Sequence, residues 1–134
     1  MKKVVSLILA LTMLFVLCAC SPNIEDLVVK ANHAVLVYPY DDIFCVEGQY
    51  DSEYNCYFVL IYVNDDVLDG TKMSKNSLEG KAAMALLANS TESDEIMKYM
   101  FDKVSDIFKR TDVDVIVGFL HVNGEITKKL STIE

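Results

Sequence analysis

The chain has 134 residues, of which 52% are hydrophobic and 24% charged, with 5 glycines, 2 prolines and no tryptophan. This length corresponds to one ordinary domain, and the composition excludes collagen-like and disordered chains. The 12 lysines and arginines against 20 acids give a formal net charge of -8. Because this negative net charge repels the phosphate backbone of nucleic acids, we expect no nucleic-acid partner.

The first nineteen residues have the composition of a secretory signal peptide. Lys2 and Lys3 precede a largely apolar run over residues 4–19. This run is shorter than the roughly 18 apolar residues that a membrane-spanning helix needs, and no basic stop-transfer segment follows it. The pattern therefore favours a cleaved signal peptide, with a permanent transmembrane helix as the alternative.

The end of this run carries a specific motif: Leu17, Cys18, Ala19 and Cys20 resemble the lipobox of bacterial lipoproteins. The resemblance implies that Cys20 receives a diacylglycerol on its sulfur, is cut free after Ala19 and becomes the mature N-terminus. A small acidic domain behind a lipobox is similar to the small lipoproteins of Gram-positive bacteria. This implies a lipid anchor on the outer face of the cell membrane. The alternative is that Cys18 and Cys20 are ordinary thiols of a signal peptide.

Cleavage at this point defines the expected organisation of the chain: a signal peptide over 1–19, a short tether over 20–23 and one domain over 24–134. Removing Lys2 and Lys3 and no acid changes the formal net charge from -8 to -10. An anionic bilayer repels such a charge, so the domain is expected to ride above the headgroups.

Helical periodicity appears in three places after the tether. Asn23 can cap a helix over 24–33, and the apolar segment 34–38 fits either a helix or a strand. Ala- and Leu-rich residues 77–89 predict a second helix, capped by Ser77 or Asn76. Residues 93–110 form the cleanest amphipathic stripe of the chain and predict a third helix.

Strand-like segments surround the helices in two pairs. Residues 43–49 and 54–63 predict an antiparallel hairpin, and the almost wholly apolar second segment predicts a strand covered on both faces. Residues 113–122 and 125–133 predict another hairpin, joined at Asn123-Gly124. Two hairpins with helices between them predict an α+β two-layer sandwich, in which an antiparallel sheet of about four strands carries its helices on one face.

Cys45 and Cys56 both lie in the first predicted hairpin. A register that places Phe44 opposite Tyr57 also places Cys45 opposite Cys56, close to the geometry of a disulfide. An exported domain lies in a compartment where disulfides persist. The sequence leaves two alternatives open, a disulfide between these residues or two reduced, buried thiols.

Motifs for catalysis or metal binding are missing from the sequence. The two histidines, His33 and His121, belong to no recognisable ligand set, and the aspartates of residues 64–70 lack the spacing of a calcium loop. No nucleophile or phosphate-binding motif is present. We therefore predict a non-enzymatic protein without a metal or cofactor.

Tyrosine placement is the remaining functional signal, because six of the seven tyrosines lie between residues 38 and 62. Tyr50, Tyr54 and Tyr57 are the candidate contacts to a partner, although strand propensity and core packing also explain tyrosines here. The sequence thus predicts a lipid-anchored module that binds an envelope or extracellular protein. A small-ligand or glycan-binding protein is the alternative, disfavoured because a domain of this size leaves little room for a cleft.

Overall fold

The computed structural model describes residues 6, 8, 22–37, 43–121 and 124–133. Cys18 and Cys20 lie outside the described residues. In chain order the described elements are helix α1 (Ile24–Leu36), strands β1 (Phe44–Asp51) and β2 (Cys56–Val63), a short 3-10 helix (Asp65–Leu68), helices α2 (Leu78–Ala88) and α3 (Thr91–Phe108), and strands β3 (Asp114–Leu120) and β4 (Ile126–Ser131).

Side-chain caps begin each of the three helices. The Asn23 Oδ1 atom accepts the Glu25 N–H at 3.1 Å, and the Ser77 Oγ atom accepts the Gly80 N–H at 3.0 Å, which confirms both predicted caps. Helix α1 continues to Leu36, so residues 34–36 of the segment that fits either a helix or a strand are helical. Helix α3 begins two residues earlier than predicted because Ser90 caps it.

The four strands form one sheet in the order β1-β2-β3-β4. The α+β class, the four strands and the two hairpins are confirmed. The prediction of a wholly antiparallel sheet is wrong, because β2 and β3 run parallel. The physical reason is α3, whose 18 residues span about 27 Å and return the chain to the end of the sheet where β2 begins.

The helices cover one face of the sheet, which we call the inner face. Its strands contribute the buried residues Phe44, Val46, Tyr57, Val59, Ile61, Val63, Val115, Val117 and Phe119. The helices contribute Ala31, Val35, Ile96, Met97, Met100, Val104 and Phe108. Alternation along β1, β2 and β3 places every second side chain of these strands, such as Glu47, Phe58 and Ile116, on the opposite, outer face.

A polar contact fixes β4 to the start of α3. The Lys128 ammonium lies 2.6 Å from the Asp94 carboxylate and donates to the Ser93 Oγ atom at 3.0 Å. Ser93 is fully buried, and its hydroxyl also contacts the Ala88 carbonyl oxygen at 2.8 Å. This contact anchors the edge strand, most of whose side chains are exposed.

Candidate functional site

The structure separates the three tyrosines that the sequence grouped as partner contacts. Tyr50 and Tyr57 lie opposite each other in β1 and β2, on the inner face. Tyr57 is 0% exposed and therefore cannot contact a partner, which corrects the prediction for this residue. Tyr54 lies in the turn between the strands and is 70% exposed.

Tyr57 and Tyr50 instead form hydrogen bonds within the domain. The Tyr57 hydroxyl donates to the Asn32 Oδ1 atom of α1 at 2.6 Å, and burial raises the Tyr57 pKa to about 12. Gly48 makes room for this hydroxyl, because a Cβ atom at that position would collide with it. The Tyr50 hydroxyl donates to the Asn55 Oδ1 atom at 2.9 Å. A tyrosine-lined recognition surface on this hairpin is therefore not what the structure presents.

The hairpin register also differs from the one that would allow a disulfide between Cys45 and Cys56. Phe44 pairs with Val63, not with Tyr57, so Cys45 lies opposite Tyr62 and Cys56 lies opposite Asp51. Six residues of β1 separate the two positions, about 20 Å at the rise of a strand. Both cysteines are free thiols. The alternative with two reduced thiols therefore holds in this structure, with Cys56 buried and Cys45 partly exposed.

No described helix covers the outer face of the sheet, in agreement with the predicted two-layer sandwich that carries its helices on one face. The prediction that β2 is covered on both faces is wrong within the described residues, because the helices lie on the inner face alone. The side chains Phe58, Leu60, Ile116, Leu120 and Ile126 form an apolar centre on this open side, and Ile126 is 53% exposed. We call these five residues the outer-face cluster.

Neighbouring strands build the outer-face cluster in register. Phe58 pairs with Ile116 across the parallel strands, and Leu120 pairs with Ile126 across β3 and β4. Gly118 lies between them and lets Ile126 lie over β3, since a Cβ atom there would meet the Ile126 side chain at 3.3 Å. The cluster is therefore one continuous surface across three strands.

Acidic side chains flank this cluster. Glu47, Asp51 and Asp114 lie on the same face of the sheet. On this face, β4 contributes the basic residue Lys129. Burial, followed by the charges of Asp114 and Asp51, raises the pKa of the Cys56 thiol and so favours its neutral form. The outer face is thus apolar at its centre and predominantly acidic at its rim.

A crevice opens at the carboxyl ends of the parallel strands β2 and β3, where open sheets commonly bind ligands. Its volume is about 550 Å³, within the range of small-molecule sites. Its lining includes Glu47, Tyr62, Lys75, Asn76, Leu120 and His121. Within the wall of the crevice, the Tyr62 hydroxyl donates a hydrogen bond of 2.8 Å to the Glu47 carboxylate. This hydrogen bond raises the pKa of Tyr62.

His121 is the crevice residue with an unsatisfied polar atom. Its Nδ1 atom is buried and has no hydrogen-bond partner among the described residues. A buried ring nitrogen without a partner is unfavourable, so a bound molecule with a complementary group would stabilise it. No motif in the sequence indicates this crevice, because the other lining residues come from distant segments.

The described residues contain no group of three or more His, Cys, Asp or Glu side chains placed to hold a metal ion. Within the same part of the chain, no helix has the length and apolar character required to cross a membrane.

Comparisons with known proteins find no matching family, no matching curated protein and no matching solved structure. The class of the protein is therefore defined by its own architecture, a two-layer α+β sandwich whose described helices lie on one face of the sheet.

Proposed function

We propose that this protein is a lipid-anchored, extracytoplasmic binding module that holds a partner protein on the outer-face cluster. The lipobox motif ending at Cys20 supports the anchor and the compartment. The open apolar surface supports the binding role, because contiguous apolar patches on soluble domains mark interaction sites. The single observation that carries the binding role is the pairing of Phe58, Ile116, Leu120 and Ile126 into one partly exposed surface that no described helix covers.

The charges around the cluster favour one kind of partner. Glu47, Asp51 and Asp114 surround the apolar centre, and the mature chain has a formal net charge of -10 after loss of two lysines from the -8 of the full chain. A second copy of this chain or an anionic bilayer also carries negative charge and would be repelled by this acidic rim. The surface therefore suits a protein that presents apolar side chains within a basic rim.

Binding to this surface can be tested with a crosslinker and a matched pair of variants. A photoreactive amino acid at Ile126 should capture the partner, whereas one at the exposed Leu86 of α2 should not. With the captured protein purified, Phe58→Thr plus Ile116→Thr should weaken its affinity by at least about tenfold, since both remove apolar contact from the centre. Threonine keeps the strand propensity of both positions.

Tyr54→Ala is the control, because Tyr54 is exposed outside the cluster; it should leave the affinity unchanged. Equal affinity of the double variant and the native protein would contradict the proposal. A crosslinked product of twice the protein's own mass would assign the face to a second copy instead.

A small-ligand function is the second candidate, supported by the crevice and the unpartnered His121 Nδ1 atom. On this hypothesis, sugars or amino acids added to ¹⁵N-labelled protein shift the amide signals of Gly124 and His121. His121→Phe keeps the ring and removes both nitrogens, so it should abolish those shifts. Identical shifts in the variant, or no shift in the native protein, would contradict this candidate.

A further inference from the structure

Helix α1 carries apolar side chains on the side that faces away from the sheet. Val29 is 66% exposed, Leu36 71% and Val37 61%. Val29 and Leu36 are seven residues apart and therefore share one side of the helix. The outward side of a helix on a globular domain is ordinarily polar, so Val29, Leu36 and the cap residue Val37 indicate a contact that the described residues do not provide.

Basic and aromatic side chains lie beside this apolar stripe. A groove of about 320 Å³ between α1 and α3 is lined in part by Lys30, His33, Tyr99 and Lys103. Neither Lys30 nor Lys103 forms a salt bridge with a described residue. We call Val29, Lys30, Leu36, Val37, Tyr99 and Lys103 the α1 patch.

The position of the expected anchor favours the bilayer as the surface that covers this patch. Cys20 precedes the cap residue Asn23 by three residues, which span at most about 10 Å. A diacylglycerol on Cys20 therefore keeps the start of α1 close to the bilayer surface. The helices lie on the inner face of the sheet, so the α1 patch and the outer-face cluster are on opposite sides of the two-layer domain.

We propose that the α1 patch rests on the bilayer to which the protein is anchored. The apolar side chains enter the boundary between headgroups and acyl chains, Tyr99 lies at the interface, and Lys30 and Lys103 meet lipid phosphates. The inference rests on the proposed lipidation of Cys20. It modifies the expectation that the domain rides above the headgroups, because the net charge does not describe this side of the molecule.

The acids of the same helices limit how strongly charge contributes. Glu25 and Asp26 lie in the first turn of α1, and Asp102 and Asp106 lie on α3. Asp106 is paired with Lys109 at 2.8 Å. The contact therefore depends mainly on the apolar side chains, with the lysines offsetting the nearby acids. It holds the outer-face cluster away from the membrane, where a partner can reach it.

The absence of tryptophan from the chain allows a direct test. Leu36→Trp places one fluorophore in the α1 patch, and Leu86→Trp places one on α2, where the side chain is 76% exposed. Each lipidated variant is inserted into vesicles with and without brominated phospholipid. Leu36→Trp should emit at shorter wavelength and lose more of its emission to brominated lipid than Leu86→Trp does, since the contact depth reaches the acyl boundary. Leu86→Trp should change little.

The outcomes distinguish this inference from the anchor on which it depends. If the protein floats with the vesicles but Leu36→Trp is quenched no more than Leu86→Trp, the membrane contact is contradicted. The lipid anchor is then retained. Protein that does not float overturns both. Val37→Trp repeats the measurement at a second exposed position and should match Leu36→Trp. A concentration-dependent blue shift of Leu36→Trp without vesicles would instead assign the patch to a second copy.

Discussion

Replacing Cys20 with alanine should move the protein from the membrane fraction to the soluble fraction. The proposed anchor is a thioether, so without the Cys20 sulfur the chain cannot receive its acyl chains. Two acyl chains contribute about 0.8 kcal/mol for each buried methylene, which makes attachment effectively permanent. The expected change is therefore nearly complete, and it is measured by fractionation together with incorporation of labelled palmitate.

Cys18→Ala is the matched control for this experiment. Cys18 lies two residues before Cys20 and is not the residue to which the lipobox resemblance assigns the lipid. This variant should retain the label and the membrane fraction. Labelling that persists in Cys20→Ala, or that disappears in Cys18→Ala alone, would contradict the assignment of the modified residue.

Tyr57→Ala is expected to have the largest effect on stability. Tyr57 is 0% exposed and its ring packs against Phe108 at a centroid distance of 5.4 Å. Removing a buried aromatic ring should lower the free energy of unfolding by about 3–5 kcal/mol. Urea unfolding of the soluble Cys20→Ala protein, followed by circular dichroism, measures the change.

Tyr57→Phe separates the ring from its hydroxyl. It removes the hydrogen bond to Asn32, which should cost about 1 kcal/mol. Tyr54→Ala, at an exposed turn position, should change the free energy of unfolding by no more than about 0.5 kcal/mol. Equal losses for Tyr57→Ala and Tyr54→Ala would contradict the burial of Tyr57 and restore the possibility of a tyrosine surface.

Local patterns in the sequence predicted the elements well because their causes are local. Asn23 and Ser77 cap the helices as expected, and the apolar spacing of residues 93–110 produced α3 with its buried side as predicted. Alternation also determined which side chains of β2 share a face. These features depend on neighbours within one helical turn or one strand.

Register and pairing depended on contacts between distant residues. The hairpin turns at Asn55, whose φ of 49° is left-handed and whose side chain donates to the Asp112 carbonyl oxygen at 3.1 Å. That contact crosses 57 residues of sequence, so the hairpin alone did not reveal it. The parallel pairing of β2 with β3 depended on how α3 returns the chain across the sheet.

The candidate site was only partly visible in the sequence. The apolar residues of β2 are evident in the sequence, but their pattern predicts a strand buried on both sides. What distinguishes the two cases is whether another element covers Phe58 and Leu60, and this depends on the placement of every helix. The tyrosines do not distinguish a recognition surface from a buried strand, because strand propensity and recognition favour the same residue type.

The N-terminus of the native protein tests the central claim most directly. Trypsin should release residues 20–30 from protein purified from membranes, because Lys30 is the first basic residue after Cys20. Mass spectrometry of this peptide should find Cys20 as its first residue, with a diacylglycerol on the sulfur. A peptide that begins at any other residue, or a Cys20 without lipid, would contradict the lipid-anchored module.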